Sequence, residues 1–156
     1  MTSDRTHSEE GFAITLHAPV SEVFPLFGAH KERVWAPGWD PQFVHPDRAA
    51  DQLGMVFTVK RSACEEVWVN TEFDAENGRI QYAYVVPGTL VTRITLRLRA
   101  QREQTRVEVK YDRTALSAAG VQQVRNLAAK DALAGPEWEK EINTYLKTRR
   151  RVAGHS

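Results

Sequence analysis

The chain has 156 residues, of which 42% are hydrophobic and 26% charged, and its formal net charge is +1. These values are typical of one globular domain and exclude a strong general attraction to nucleic acid or to anionic membranes. No apolar run is long enough to span a membrane, and the single cysteine, Cys64, excludes an intramolecular disulfide. The first residues lack the apolar core of a secretory signal, so we expect a cytoplasmic protein.

The first part of the chain predicts one strand and two short helices. Residues 1–10 are polar and are expected to form a disordered lead-in. Residues 11–19 alternate apolar and polar side chains, which predicts a strand that ends at Pro19. Apolar residues at helical spacing then predict a short helix over residues 21–28 and a second helical turn over residues 29–35.

Residues 34–43, with the sequence VWAPGWDPQF, concentrate aromatic side chains in a segment that is typical of a loop. Pro37 and Gly38 predict a turn between Trp35 and Trp39. The two indoles either plug one end of the core or close a ligand cavity as a lid. We favour the plug because large aromatic side chains gain most from burial. A plug would also form the wall of any cavity behind it.

Residues 53–115 predict about five further strands that follow one another as an antiparallel meander. Asn77-Gly78 is a strong hairpin signal, and Pro87-Gly88 marks another turn. Apolar side chains alternate with charged ones, which is typical of a sheet with one dry face and one wet face. The residues predicted to point to the dry face are Ile80, Tyr82, Tyr84, Val86, Leu90, Thr92, Ile94, Leu96, Leu98, Val107, Val109 and Tyr111.

The strand predicted over residues 65–74 has apolar side chains on both faces, so its register stays open. Val67 lies on one face, and Trp68, Asn70 and Glu72 lie on the other. If the second face pointed inward, Asn70 and Glu72 would become polar ligand contacts. We favour solvent exposure for that face.

The last part of the chain predicts the helical layer that covers the dry face. Residues 117–133 and 136–151 both carry apolar stripes at helical spacing, with Trp138 in the second. Gly135-Pro136 between them either starts a new helix or kinks one long helix. We expect one α+β domain over residues 11–149 and a tail over residues 150–156.

Three segments resemble the SRPBCC superfamily, which includes START lipid-transfer domains, birch-pollen-allergen-like proteins and polyketide cyclase-like proteins. HAPVSEVFPLF (17–27) is similar to its opening, and KERVWAPGWDPQFVHP (31–46) resembles a bacterial subgroup with a Trp-x-Pro-Gly-Trp segment. TALSAAG (114–120) with WEKEINTYL (138–146) resembles the last strand and final helix. The resemblance implies a helix-grip fold: about six curved antiparallel strands wrapped on a long C-terminal helix, with two short helices after strand 1.

The resemblance further implies a cavity between the sheet and the C-terminal helix. Tyrosine hydroxyls in such a cavity can orient a carbonyl or hydroxyl group of a ligand, although a core role is favoured for any single tyrosine. The residues expected to line the cavity are Trp35, Trp39, Phe57, Tyr82, Tyr84, Thr92, Tyr111 and Trp138.

Catalytic residues cannot be assigned, but three candidate acids or bases lie around the aromatic loop: His30, Glu32 and Asp40. A carboxyl group there would need a pKa raised by burial. For Asp40 we favour a structural ion pair with Arg33. The histidines and Cys64 lack metal-ligand spacing, so we expect no metal and no cofactor.

Three functions stay open. The favoured one is binding or carrying a small apolar or aromatic molecule, lipid- or polyketide-like, in the cavity. The first alternative is a polyketide cyclase- or dehydratase-like lyase or isomerase, and the second is a protein-interaction module with an exposed apolar patch. The expected partner is a small hydrophobic molecule, with a homodimer left open. Nucleic acid is not expected, because the basic run 147–151 suits a helix C-terminus.

Overall fold

The computed structural model describes residues 6–61 and 64–154. Seven antiparallel strands form one sheet in the order β1-β7-β6-β5-β4-β3-β2, so the chain meanders from β2 to β7 and β1 pairs with β7. The strands are β1 (His7–Leu16), β2 (Pro41–His45), β3 (Val56–Lys60), β4 (Glu65–Asp74), β5 (Arg79–Val86), β6 (Leu90–Gln101) and β7 (Gln104–Ala115).

The helices lie in two places along the chain. The connection from β1 to β2 contains α1 (Val20–Val23) and two 3₁₀ turns, Phe24–Phe27 and Lys31–Val34. After β7 come α2 (Ala118–Asp131) and α3 (Gly135–Gly154). Gly135-Pro136 therefore begins a new helix and does not kink a longer one, and α3 is the long C-terminal helix that the resemblance implies. In the described ranges, none of these helices combines the length and the apolar character that crossing a membrane requires.

Three predicted boundaries are wrong. The sheet has seven strands because Pro41–His45 pairs with β3 as an edge strand, although the sequence pattern predicts residues 41–43 as the end of a loop. Proline is tolerated at the start of such a strand. β1 begins at His7, so residues 7–10 are not a disordered lead-in: their backbone pairs with β7, and polar side chains suit its wet face. Helix α3 continues to Gly154, so residues 150–154 are not a tail. Residues 1–5 lie outside the described part.

The core lies on the concave face of the sheet, where the predicted inward side chains of β5, β6 and β7 are buried as expected. Helix α3 adds Ile142 and Leu146, and α2 adds Val124. The 3₁₀ turn after α1 adds Phe24 and Phe27, which close the core at the end near the aromatic loop. The strictly alternating strands thus point one face to the helices and the other to water.

The favoured register of β4 is wrong. Trp68 and Asn70 are buried, whereas Val67 is 43% exposed. A bulge between Asn70 and Glu72 then shifts the pairing so that Phe73 lies opposite Ile80. An extra residue in a bulge re-aims the side chains that follow it. Phe73 consequently reaches the core, where its ring centroid lies 5.0 Å from that of Phe24.

Helix α3 covers the exposed edge of β1 with polar side chains. The backbone N–H of Thr15 donates to the Glu139 carboxylate at 2.8 Å. Asn143 accepts from the N–H of His17 at 2.8 Å and donates to the carbonyl of Thr15 at 3.1 Å. Side chains therefore take the place of a neighbouring strand, which protects the edge from pairing with another chain.

Helix α2 is fixed at its N-terminus beside the β5–β6 turn. The Ser117 hydroxyl accepts from the N–H of Gly120 and caps the helix. A Cβ atom at Gly120 would lie 1.8 Å from the carbonyl oxygen of Thr89, so this close approach requires glycine. The contact places the body of α2 over the concave face of the sheet.

Candidate functional site

An internal cavity of about 610 Å³ lies between the concave face of the sheet, α2 and the loop 35–39. Its size falls within the range of small-molecule sites, about 300–1,000 Å³. The cavity opens between that loop, Arg61 just after β3, and α2. Exposed residues surround the opening: Pro37, Gly38, Arg61, Gln123, Asn126 and Lys130.

Most of the residues predicted for the cavity lie in its wall. Six of the eight line it: Trp35, Trp39, Tyr82, Tyr84, Tyr111 and Trp138. Phe57 and Thr92 are fully buried on the same face of the sheet but lie behind the lining residues. The role of these side chains in binding stays a prediction.

One transverse row of side chains crosses the concave face and organises the cavity. The row consists of directly paired residues from six neighbouring strands: Phe43, Phe57, Trp68, Tyr84, Thr92 and Arg113. Its β2 end is aromatic and its β7 end is charged. Because side chains that share a register position lie side by side, the polarity of the wall changes steadily from one end to the other.

The aromatic end of the row is a stack of rings. The Trp68 and Tyr84 rings are nearly parallel, with centroids 4.5 Å apart and planes at 14°. Phe57 stacks on the other side of Trp68, at 5.4 Å. Trp39, from the loop, stands edge-on to Trp68 at 5.3 Å. Offset-stacked and edge-to-face arrangements of this kind are favourable, so packed rings dominate this end of the wall, where the Trp68 indole also donates to the Glu66 carboxylate.

The charged end of the row is a buried ion pair. Arg113 and Asp131 are only 4% and 5% exposed, and the guanidinium donates to both carboxylate oxygens through Nε and Nη2, each at 2.7 Å. Nη1 donates to the Tyr84 hydroxyl at 2.6 Å and to Thr92 Oγ1 at 2.9 Å. Burial alone would lower the pKa of Arg113, but these bonds outweigh it and the pKa lies above its ordinary value. The guanidinium therefore stays charged.

Sequence reasoning missed this ion pair and the neighbouring Glu66. Arg113 follows Tyr111 by two residues and so continues the inward alternation of β7, and Asp131 follows Val124 by seven residues on the buried stripe of α2. Both signals were present in the periodicity. Glu66 shares the inward face of β4; it accepts from Trp68 Nε1 at 2.9 Å and from Arg61 Nε at 3.3 Å.

The loop tryptophans are anchored by hydrogen bonds as well as by packing. Trp35 is buried, and its Nε1–H donates to the carbonyl of Leu26 at 2.7 Å. Trp39 is half-buried, and its Nε1–H donates to the carbonyl of Ala29 at 2.7 Å. Gly38 takes a positive φ of 76° at the turn between them. This geometry is that of the plug, and the plug forms part of the cavity wall.

Of the three candidate acids or bases, Glu32 is the one that lines the cavity. Burial raises the pKa of its carboxyl well above the usual range, and the nearby charge of Asp51 raises it further. Burial also raises the pKa of Tyr82, and the charge of Glu32 adds to that shift, which indicates that the two groups are close. The Glu32 carboxyl therefore holds its proton more tightly than an ordinary glutamate does.

The other two candidates lie away from the cavity. The side chain of Asp40 is 78% exposed, and its carboxylate lies 4.0 Å from Arg33, as the predicted ion pair requires. The backbone N–H of His30 donates to the Asp51 carboxylate at 2.7 Å, and the imidazole lies edge-on to Phe43. Neither residue lies in the cavity wall.

An exposed group on the opposite face of the sheet brings together the potential metal ligands His7, Glu9 and Asp112, whose ligand atoms lie within 4.8 Å of one another. Glu9 already pairs with Lys110 at 2.8 Å, and Asp112 pairs with Arg93 at 3.3 Å. The arrangement is typical of ion pairing across a wet sheet face.

The chain matches no protein-family model and no curated protein sequence, so its likeness to known proteins rests on structure. Norcoclaurine synthase from Thalictrum flavum is 10% identical, with a TM-score of 0.66 over 92% of this chain and 88% of that chain. The Mll3558 protein from Rhizobium loti is 15% identical, with a TM-score of 0.60 over 90% and 98%.

A third similar structure is DynU16, a protein of the dynemicin biosynthetic locus. It is 16% identical, with a TM-score of 0.60 over 90% of this chain and 47% of that one. Norcoclaurine synthase has also been solved in complex with dopamine and hydroxybenzaldehyde, and that structure aligns with a TM-score of 0.61 over 88% of this chain and 87% of that one, at 10% identity. At such identities the likeness concerns the fold. The curved seven-stranded sheet, the helices that cover it and these structural neighbours together show that the chain has the helix-grip fold, which it shares with norcoclaurine synthase.

Proposed function

We propose that the protein binds a small apolar or aromatic molecule in its internal cavity. The observation that carries the proposal is the composition of the wall: all four tryptophans of the chain line a cavity of about 610 Å³, and polar atoms converge at one end of it. Sites for small molecules are typically apolar clefts with a few well-placed polar groups. A cavity wall made of indoles and phenols suits a flat ligand more than a flexible chain.

The structural neighbours support an aromatic ligand. Norcoclaurine synthase, which has the same fold, holds dopamine and hydroxybenzaldehyde in one of its structures. The present cavity shares no more than the fold with that protein, so the ligand must be argued from this chain's own side chains. Stacked rings on one side and hydrogen-bonding groups on the other suit a ring that carries polar substituents.

Native mass spectrometry of the protein purified from its own host tests the proposal. We expect a co-purified molecule of a few hundred daltons that leaves on denaturation. Ile94→Trp is the matched control, because Ile94 lines the cavity and a larger side chain fills it. The proposal is contradicted if no bound molecule is detected in the purified protein and if the wild type and Ile94→Trp bind added aromatic compounds to the same extent.

Glu32 favours a second candidate function, acid–base catalysis of the aldol or dehydration type. A carboxyl group in a cavity wall with a raised pKa is the residue that such chemistry needs, since a general acid or base works best with a pKa near the working pH. The required step is removal of a proton from the carbon next to a carbonyl group, with the proton passing to the Glu32 carboxylate.

Hydrogen–deuterium exchange tests this second function without knowledge of the natural substrate. The methyl protons of 2-acetonaphthone, which lie next to its carbonyl, are followed by NMR in D₂O. We expect the wild type to accelerate their exchange and Glu32→Gln to return it to the rate in buffer. Tyr82→Phe keeps the carboxyl and serves as control. If exchange with the wild type is no faster than in buffer, the catalytic function is ruled out and the binding function still stands.

The protein-interaction alternative required a large exposed apolar patch in place of a cavity. Among the side chains that the structure describes, the exposed large apolar ones come from six separate segments: Val34, Val44, Leu53, Val67, Leu116 and Leu133. Single exposed residues of this kind are ordinary on protein surfaces. We do not carry this alternative forward, and a homodimer stays a prediction that gel filtration with light scattering can test.

A further inference from the structure

The transverse row indicates how a ligand is oriented in the cavity. We propose that the Tyr84 hydroxyl donates a hydrogen bond to a carbonyl oxygen of the ligand, so that the site prefers uncharged aromatic ketones and aldehydes to the corresponding carboxylates. The inference rests on the proposed binding function and names its ligand class.

The first argument counts hydrogen-bond donors. A guanidinium has five N–H donors and no acceptor, so the Tyr84 oxygen must accept in its 2.6 Å bond with Arg113 Nη1. Three of the four other donors of Arg113 bond to Asp131 and Thr92. The phenol proton of Tyr84 therefore takes no part in the bond with Arg113 and needs an acceptor of its own.

The second argument concerns where that proton can point. Tyr84 lines the cavity, whereas Thr92 is fully buried. The Thr92 oxygen accepts from Arg113, and a hydrogen bond with Thr92 lowers the pKa of Tyr84, which is the effect expected when the Thr92 hydroxyl donates to the phenol oxygen. On the neighbouring strand, the parallel face of Trp68 offers the hydroxyl no acceptor atom. The open side of the hydroxyl is the cavity. A buried donor that lacks a partner costs free energy, which an acceptor on a bound ligand recovers.

The third argument is the charge balance around Tyr84. Arg113 is neutralised by the bidentate bond to Asp131, and Arg61 is paired with Glu66. Burial raises the pKa of Tyr84, the charge of Arg113 lowers it, and the negative charge of Glu66 raises it, so charges of both signs act on the hydroxyl. Lys130 lies at the opening and is exposed. A ligand carboxylate beside Tyr84 would lose its hydration shell and would find no unpaired cation to replace it. A neutral ligand carbonyl needs only one hydrogen-bond donor there.

The inference is tested with three naphthalenes of similar size. These are 2-acetonaphthone, 2-ethylnaphthalene and 2-naphthoate, titrated into the protein while tryptophan fluorescence is recorded, since every tryptophan lines the cavity. Tyr84→Phe should weaken the affinity for the ketone by about 2- to 10-fold, which is the loss expected for one hydrogen bond. It should change the affinity for the hydrocarbon by less than about 2-fold. Wild type should bind the ketone more tightly than the carboxylate.

Tyr82→Phe is the matched control. It makes the same chemical change in the cavity wall, but the Tyr82 hydroxyl already donates to the carbonyl of Phe27 at 2.8 Å. We expect both neutral probes to be affected alike in this variant. Thermal unfolding of each variant checks that the fold is intact.

The outcomes separate this inference from the proposed function. If Tyr84→Phe changes ketone and hydrocarbon equally, the phenol proton is spent on Thr92 and the assignment is overturned, while binding stands. If Tyr84→Phe fails to fold, the wild type alone tests the assignment. Binding of 2-naphthoate as tightly as the ketone by the wild type would overturn the assignment. If none of the three probes quenches the wild type, aromatic binding itself fails.

Discussion

The two ends of the cavity wall are built on different physical principles. At the aromatic end, Phe57, Trp68 and Trp39 pack ring against ring, and the gain grows with the apolar area that they bury. At the charged end, Arg113 and Asp131 meet in one fixed bidentate geometry after losing their hydration. A buried ion pair is rarely more stabilising than apolar residues of similar volume. The aromatic end therefore stabilises the fold. The charged end fixes the orientation of the polar groups in the wall and lowers the stability of the fold in doing so.

The largest expected effect breaks the charged end. Arg113→Ala should lower the free energy of unfolding by about 3–5 kcal/mol, because the Asp131 carboxylate stays buried without a partner. Urea denaturation at neutral pH measures it. Arg93→Ala is the control, since Arg93 is exposed and its bond to Asp112 should contribute no more than about 1 kcal/mol.

The double variant Arg113→Met, Asp131→Leu completes this test. It removes both charges and fills the space with apolar side chains, so it should be clearly more stable than Arg113→Ala. Equal instability of the two variants would contradict the view that the ion pair serves orientation more than stability.

The second prediction separates the two loop tryptophans: Trp35 is expected to stabilise the fold, and Trp39 is expected to contribute to binding. Trp35→Ala should cost about 3–5 kcal/mol of unfolding free energy, because the indole is buried against Phe27 and Trp138. Trp39→Ala should lower the free energy of unfolding by less, because Trp39 is half-buried. It should lower the binding free energy of the naphthalene probes by more than it lowers the free energy of unfolding. Equal losses of fold and binding in Trp39→Ala would assign Trp39 to the plug as well.

The third prediction concerns pH and Glu32. The pKa of the Glu32 carboxyl is raised in the folded state, so the folded protein holds this proton more tightly than the unfolded chain. The free energy of unfolding should therefore fall as pH rises from the ordinary glutamate value toward the raised one. Glu32→Gln should lose this dependence and be more stable than wild type at pH 8 by about 1 kcal/mol or more, and similar to it near pH 4.

Thermal unfolding of both proteins from pH 4 to pH 8 makes the measurement. Asp40→Asn is the control, because Asp40 is exposed and should leave the pH dependence unchanged. Parallel curves for wild type and Glu32→Gln would show that Glu32 is solvated in the folded protein.

The smallest expected effect is at Arg33. Its guanidinium lies 4.0 Å from Asp40 and donates to the carbonyl of Pro41 at 3.0 Å, both near the surface. Arg33→Ala should change the free energy of unfolding by less than about 1 kcal/mol, because exposed pairs contribute little. A larger loss, measured by urea denaturation, would show that the loop depends on its charges more than on the hydrogen bonds of its indoles.

Sequence periodicity predicts the parts of this molecule where one face of a strand is clearly polar. Residues 94–99 of β6 and 106–112 of β7 alternate apolar with polar or charged side chains, and their inward residues, Leu96 and Val109 among them, follow directly. β4 defeats the same reasoning, because Val67 and Trp68 are both apolar neighbours on opposite faces. The bulge after Asn70 then changes the register within the strand, and nothing in the local pattern marks it.

The cavity is less predictable than the fold, because its polar end depends on a contact between distant segments. The alternation of β7 places Arg113 inward, yet an arginine at an inward position is acceptable only if a partner reaches it. That partner, Asp131, lies 18 residues further along the chain on another element. Glu32 is similar: its residue type marks it as a candidate, and only the folded chain puts it in the wall.

The transverse row has a consequence for how this protein can change over evolutionary time. Its six members are spread from Phe43 to Arg113 and lie side by side only because five strand pairings keep their registers. Deleting one residue inside a strand would turn the side chains that follow in that strand to the opposite face, including any row member among them. Insertions in the connecting turns leave the row intact. The molecule can therefore vary freely in loop length, whereas the site is inherited as one unit with the pairing of the sheet.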